Sequence, residues 1–270
     1  MKKTFFLLLS GLVMGSGLVH ADNSLLYSYD FESLSGSLNS ANNNLTSTPG
    51  SGAFTQSGGG WVNYGPGALG STLAYEAKTV NNQQGGKLTL TGTGTNNSLG
   101  VNTTDGFTLS FFFKEQGTEK WTDIFKLNFS DSKSIWSQQD TEDPGQAIKN
   151  CQFYTTDSNG LDNWAAFQAT DSDFVHIALT YRDGVLTGYQ DGVQFMYATG
   201  LDISGELTSV QFGTNSKVHA FYDNIQLYSG LLNQSEIAYL STHEALPEPA
   251  SASLGALGLA LLSWRRKRKR

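Results

Sequence analysis

Cysteine is almost missing from this chain. A single residue, Cys151, excludes an intramolecular disulfide and any cysteine-based zinc site. It stands in an alternating run, Lys149, Cys151 and Phe153 against Ile148, Asn150, Gln152 and Tyr154, so its plain reading is a small buried hydrophobe. A catalytic thiol would need a paired base, and no local motif supplies one. Histidine is equally sparse. His176 and His219 are isolated in strand-like segments, His243 lies near the tail, and no pair has metal-ligand spacing, so structural roles are expected. The body's strand-to-loop junctions carry no Gly-x-Ser-x-Gly nucleophile motif, and no glycine-rich phosphate loop precedes a helix. No internal repeat of fixed period is visible.

Positive charge is also lacking where it would matter. The formal charge is −7, but six of the 17 basic residues sit at 265–270 and two at Lys2 and Lys3. Residues 22–246 keep nine basic residues against 23 acidic ones, a balance near −14. Such a body lacks the basic face that phosphate neutralisation requires, which argues against a nucleic-acid partner. A solvated acidic surface that keeps the protein soluble outside the cell is the ordinary meaning, with attraction of divalent cations as the alternative. Aromatic residues make up 12% of the chain, enough for a core and too many for wholesale disorder.

Both ends look like processing segments. Met1–Ala21 has a basic start, an apolar stretch from Phe5 to about Met14 and Val19-His20-Ala21 as a small-x-small site, a secretory signal peptide cut after Ala21. At the other end Pro247-Glu248-Pro249 precedes an almost wholly apolar stretch over 250–264 and a basic tail over 265–270. Fifteen helical residues reach about 22 Å, short of the roughly 30 Å hydrocarbon core. The basic tail would hold that end in the cytoplasm, so composition alone reads as a short C-terminal transmembrane helix, a stop-transfer segment or permanent anchor with the body outside. The ordered triple resembles the PEP-CTERM sorting signal of Gram-negative bacteria. The resemblance implies that Pro247, Glu248 and Pro249, with Arg265 and Arg266 of the tail, are recognised by an exosortase in the inner membrane. That segment would be engaged transiently and then removed. The product would go to the cell surface, outer membrane or extracellular matrix.

Between the ends the dominant signal is period two. In Phe174–Val193 a run of alternating residues is broken by Asp183-Gly184 and again by Asp191-Gly192, the dipeptides favoured in type I′ hairpins, so three antiparallel strands follow one another. Phe107–Glu115 reads as a central strand with Phe107, Leu109, Phe111 and Phe113 on one face and Phe112 on the other. Further strands are expected at Leu25–Glu32, Gly67–Tyr75, Gly86–Thr91, Ser98–Asn102, Trp121–Phe129, Ser134–Gln138, Ala147–Thr155, Trp164–Gln168, Leu207–Gly213 and Ala220–Tyr228. Residues 33–66, rich in Gly, Ser and Asn around Phe54 and Trp61, read as a long surface excursion rather than a second domain. Asn233-Gln234-Ser235-Glu236 has the spacing of a capping box and opens a short helix to about Leu240. The pattern predicts an all-β domain, a two-sheet antiparallel sandwich with one terminal helix.

FTLSFFFK at Phe107–Lys114, VHIALTYRDGVLTGYQD at Val175–Asp191, Phe212-Gly213 and FYDNIQLY at Phe221–Tyr228, leading into the helix, together resemble the laminin-G-like, concanavalin A-like family. The resemblance covers most of 25–241 and implies a jelly roll of two curved antiparallel sheets over residues 22–246. Such domains commonly bind carbohydrate or protein, and sometimes carry a structural calcium between the first and last strands.

Asp223 is the most informative polar residue. Simple alternation places it on the face of Phe221, Ile225 and Leu227, where a carboxylate needs backbone N–H donors, a basic partner or a cation. On the resemblance, Asp30 or Glu32 with Asp223 forms a candidate calcium pair; no other cofactor is implied. Asp157-Ser158-Asn159-Gly160-Leu161-Asp162 is an oxygen-rich loop without the full EF-hand order, and an Asx turn accounts for it. Trp121, Trp136 and Trp164, with tyrosines such as Tyr154, Tyr189 and Tyr197, could stack on sugars, although core packing competes for each ring. Trp164, beside the polar loop, is the leading candidate for exposure.

Laminarinase-type hydrolases share this sandwich and, for retention, need two carboxylates about 5–5.5 Å apart. Their Glu-x-Asp-x-x-Glu run is absent, and Asp171-Ser172-Asp173 lacks a third acid. The expectation is therefore no enzyme. A polysaccharide- or protein-binding adhesion module leads, with a purely structural matrix component as the alternative.

Overall fold

The computed structural model describes residues 23–29, 31, 44–46, 48–49, 53–57, 61–64, 67–71, 73–77, 87–92, 97–117, 122–139, 148–156, 166–213, 218–244 and 246. The strands are β1 (Leu25–Tyr29), β2 (Asn44–Thr46), β3 (Thr48–Pro49), β4 (Ala53–Ser57), β5 (Trp61–Tyr64), β6 (Leu73–Ala77), β7 (Lys87–Thr91), β8 (Phe107–Glu115) and β9 (Thr122–Phe129). They continue with β10 (Ser134–Gln139), β11 (Ile148–Thr155), β12 (Ala166–Thr170), β13 (Val175–Arg182), β14 (Val185–Gln190), β15 (Val193–Ala198), β16 (Leu207–Phe212) and β17 (Ala220–Ser229), and the chain closes with helix α1 (Gln234–Leu240). One sheet runs β15-β14-β13-β8-β17-β1-β3, with β6 also on β17 and β5 on β6; the other runs β12-β11-β10-β9-β16-β7-β4-β2. All pairings are antiparallel, and the architecture is the expected jelly-roll sandwich.

The sheets meet through aromatic rings. Phe111 of β8 makes edge contacts with Phe125 of β9 at 5.3 Å and Phe212 of β16 at 5.2 Å, while Phe113 meets Phe167 of β12 at 5.8 Å. Each buried Phe contributes about 1.5–3 kcal/mol by leaving water, and edge-to-face pairs add about 0.5–1.5 kcal/mol. Cys151 lies in this core as expected; burial, and then the charge of Glu115, push its thiol pKa up and keep it a thiol.

Both Asp-Gly hairpins form as read. Asp183 and Gly184 take φ of 48° and 76°, and Asp191 and Gly192 take 49° and 79°, the left-handed pair that a type I′ turn requires. At the second turn glycine is doubly needed, because a Cβ on Gly192 would come 2.6 Å from Ala238 Cα of the helix.

Three local expectations are corrected. The described parts of 33–66 are not an open excursion: β2 to β5 extend both sheets at their margins. The first part of Gly67–Tyr75 is a 3-10 turn at Ala68–Gly70, where Leu69 takes φ of 53°, so only its end is strand. Ser98–Asn102 makes one isolated bridge, Asn102 to Glu206, instead of a strand.

Helix α1 forms with the capping box intact. The Asn233 side chain accepts from the N–H groups of Ser235 and Glu236, and the Glu236 carboxylate accepts from Asn233 N at 2.7 Å. Ile237 and Leu240 pack on Ala178, Tyr189, Tyr228 and Leu232, a second small core on the outer side of the nine-stranded sheet. Tyr189 is thereby spent on packing rather than offered to a ligand.

On the same outer side of that sheet His176 is fully buried. Its Nε2 shares a 2.8 Å hydrogen bond with Ser110 Oγ, its Nδ1 has no partner, and burial lowers its pKa to about 4. The unfolded chain, with a histidine near 6.5, binds this proton more readily than the folded one. Stability is therefore full above pH 6.5 and falls as the pH drops toward 4, by about 2–3 kcal/mol at pH 4.5. Urea unfolding of the native chain and of His176→Gln at pH 7 and 4.5 should show this loss in the native chain beyond that of the variant; equal losses would assign acid sensitivity to the carboxylates alone.

Candidate functional site

Alternation leaves the outer side of the eight-stranded sheet polar. β9 sends Phe125, Leu127 and Phe129 inward and Lys126 and Asn128 outward; β10 buries Ile135 and Ser137 and turns Trp136 and Gln138 out. β11 buries Cys151 and Phe153 and turns out Gln152 and Tyr154. β16 and β7 add Ser209, Gln211, Lys87, Thr89 and Thr91. Strand register aligns Tyr154, Trp136, Lys126, Gln211 and Thr89 in one row across five strands.

The centre of this row is an aromatic ridge. Trp136 and Tyr154 stack with centroids 5.8 Å apart and planes 18° from parallel, and Lys126 Nζ lies 5.6 Å from the indole centroid on the neighbouring strand. Offset stacking and a cation over the indole are both favourable geometries. Trp136 and Tyr154 remain partly exposed.

The neighbouring rows are held by hydrogen bonds. Tyr154 OH donates to Gln152 Oε1 at 2.9 Å, and Gln138 Nε2 donates to Asp123 Oδ1 at 2.5 Å. On the other side Ser134 Oγ donates to Asn128 Oδ1 at 3.0 Å, and Asn128 Nδ2 donates to Ser209 Oγ at 2.9 Å. These bonds set amides and hydroxyls in place beside the rings, so a hydroxyl-rich ligand would meet groups that are already ordered.

Of the three tryptophans singled out by sequence, Trp136 lies in this ridge, while Trp121 and Trp164 fall outside the described residues. Tyr197 is 64% exposed but sits on edge strand β15 of the other sheet. Lys126, Gln138 and Gln152 could not be found by sequence, because nothing local reveals which residues of three separated strands lie side by side.

Asp223 faces the opposite way from the alternation reading. β17 carries a bulge between Asp223 and Gln226, with Asn224 at φ 44°, so the strand changes phase there. Tyr222, Ile225 and Leu227 point into the core, whereas Asp223 pairs with Phe112 on the outer side. There the carboxylate is buried beneath the Gly67–Ser71 segment. It accepts from Ala68 N at 2.8 Å, Ser71 Oγ at 2.7 Å and Asn224 N at 2.8 Å. Three donors match the needs of a buried carboxylate acting as a structural acceptor. Asp30 and Glu32, the acids a calcium would also need, lie outside the described residues, as do the 157–162 loop, the sorting motif at Pro247, Glu248 and Pro249, and Arg265 and Arg266. Among the described residues no three His, Cys, Asp or Glu side chains gather as a metal site.

A cleft of about 410 Å³ opens on the nine-stranded sheet between Ala68, Phe112, Lys114, Asp173, Phe174 and Asp191. Lys114 Nζ lies 5.9 Å from the Phe174 ring, and two carboxylates of the same lining, Asp173 and Asp191, outweigh its charge. Asp171 and Asp173 are exposed in the turn after β12. His219 Nε2 lies 3.0 Å from Glu76 Oε1, and His243 stacks on Tyr239 at 3.7 Å; both are local contacts.

No curated protein sequence matches the chain. Among solved structures it is similar to domain 4 of AbnA, a GH43 extracellular arabinanase from Geobacillus stearothermophilus in complex with arabinotriose, with TM-score 0.56 and 18% identity over 81% of this chain and 98% of that one. The structure of botulinum neurotoxin type C, whose cell entry depends on two ganglioside molecules, gives 0.51 and 13% over 83% and 52%. The binding domain of Paraclostridial Mosquitocidal Protein 1 gives 0.50 and 16% over 82% and 52%. This chain spans about half the length of the two toxin chains. Residues 82–238 match the laminin-G-like family described as the Concanavalin A-like lectin/glucanases superfamily. That match and the paired jelly-roll sheets give one answer: the chain belongs to the concanavalin A-like lectin/glucanases superfamily.

Proposed function

We propose that this protein is an exported surface or matrix protein, not an enzyme, whose sandwich binds polysaccharide through the outer side of its eight-stranded sheet. The carrying observation is the partly exposed Trp136–Tyr154 stack, flanked by ordered Gln, Asn and Ser side chains. A solved neighbour described in complex with arabinotriose and another whose cell entry depends on gangliosides support a binding role for this fold. A glycan array probed with the full chain should show binding that Trp136→Ala weakens roughly two- to tenfold, the effect of losing one ring-stacking contact. Unchanged binding in a variant that melts like the parent would remove the ridge from the proposal. Silence on the array, with retention at the cell surface, would favour a purely structural matrix role.

Export rests on the two ends of the sequence. In this reading the signal peptide is cut after Ala21, an exosortase recognises Pro247-Glu248-Pro249, and the segment over 250–264 with its basic tail is removed. Among the described residues no helix is long and apolar enough to cross a membrane. Intact-mass measurement of protein recovered from the surface of cells that carry an exosortase should give a chain starting at Asp22 and lacking the basic tail. A mass that retains Arg265–Arg270 would replace sorting with a permanent anchor.

The calcium proposal places Asp30 and Glu32 beside Asp223 at the junction of the first and last strands. Calcium needs six to eight oxygens, so Asp223, Asp30 and Glu32 would supply only part of its shell. Calorimetric titration of chelator-treated protein with calcium decides it: heat of binding with a raised melting temperature supports the site, and absence of both eliminates it.

A further inference from the structure

The surface around the aromatic ridge carries two cations. Lys126 is held over the Trp136 indole rather than against a carboxylate. Lys87 begins β7 and follows the pairs Gln211–Thr89 and Phe212–Leu88, so it comes level with Gly213. The Gly213 N–H bonds Ile124 O at 2.9 Å, continuing β16 against β9, whereas Lys126 is level with Gln211, so Lys87 stands one strand beyond Lys126 and two positions along. The two lysines therefore share one outer side on a diagonal across β16, past Gly213, which has no side chain. Burial, and then the charge of Lys126, lower the Lys87 pKa. Neither lysine carries an ion pair among the described residues, and Asp123 on the same side accepts from Gln138 instead.

This is an unusual place for free positive charge. Residues 22–246 hold only nine basic residues against 23 acidic ones, yet two of the nine stand on this one side of the sheet with partly exposed aromatic rings. Like charges side by side repel, and an anion between them converts that repulsion into charge-assisted hydrogen bonds. The anion need not be far from a sugar ring. Lys126 Nζ is 5.6 Å from the indole centroid, within reach of a carboxylate carried directly on a pyranose that rests against the ridge.

We propose that this face recognises a polysaccharide of uronic acids, with ring carboxylates at Lys87 and Lys126 and a sugar ring against Trp136 and Tyr154. The proposal rests on the carbohydrate-binding reading above and narrows it to acidic polymers. The lysines are partly exposed, so their attraction is modest and salt-sensitive, and repetition along the polymer multiplies it.

The test uses the full chain with polygalacturonate and with its fully methyl-esterified form, which keeps the backbone and loses the charge. At low ionic strength polygalacturonate should bind roughly tenfold tighter than the ester, and about 0.5 M salt should close the gap. The double variant Lys87→Gln, Lys126→Gln should lose that preference while still binding the ester, and Trp136→Ala should weaken both polymers. Equal binding of acid and ester overturns the charge reading and leaves carbohydrate binding intact. A preference that survives the double glutamine variant overturns the assignment to these lysines. Dextran sulfate bound more tightly than polygalacturonate overturns the uronate in favour of sulfate. No binding to either pectin form overturns this proposal, and the glycan array alone then judges the broader one.

Discussion

The contact of Phe111 with Phe125 and Phe212 is the constraint on which the sandwich depends. One ring of the central strand of one sheet touches two strands of the other, and Tyr222 joins it at 6.5 Å from the neighbouring strand. Filling this interior commits every second residue of β8, β9, β16 and β17 to one side. The remaining residues are then forced outward in equally strict order. Both candidate surfaces are consequences of that core: they are made of what the core could not use.

The two outer sides meet different fates. On the nine-stranded sheet, helix α1 covers Ala178, Tyr189 and Tyr228, and the Gly67–Ser71 segment covers Asp223. Beneath the Gly67–Ser71 segment the Asp223 carboxylate is bonded within the protein, and on the same outer side His176 Nε2 bonds Ser110. On the eight-stranded sheet no helix lies over the Trp136 row among the described residues, and side chains there bond one another along the surface. A covered side gains stability, whereas an open one keeps rings and amides available. That contrast is why the proposed binding surface lies on the eight-stranded sheet.

Much of the scaffold was legible because its signals are local. The I′ turns at Asp183-Gly184 and Asp191-Gly192, the single-sided phenylalanines of β8 and the capping box at Asn233 each depend on residues within a few positions of one another. Where a long-range partner intervenes, the reading failed. β2 to β5 look like loop from their Gly, Ser and Asn content, yet their backbones pair with sheet margins supplied by distant strands. Asp223 was assigned to the wrong side because a bulge at Asn224 is stabilised by its surroundings, and a count of two cannot register an extra residue.

By itself, then, the sequence determined an all-β chain with its hairpins, its central strand and its terminal helix, since period-two patterning and turn chemistry act between near neighbours. Tertiary structure alone decided that Tyr154, Trp136, Lys126 and Gln211 stand in one row and that Lys87 and Lys126 share one side across β16. The physical reason is register. Which residues of β11, β10, β9, β16 and β7 lie opposite one another is set by how the core rings interlock, and no single strand carries that information.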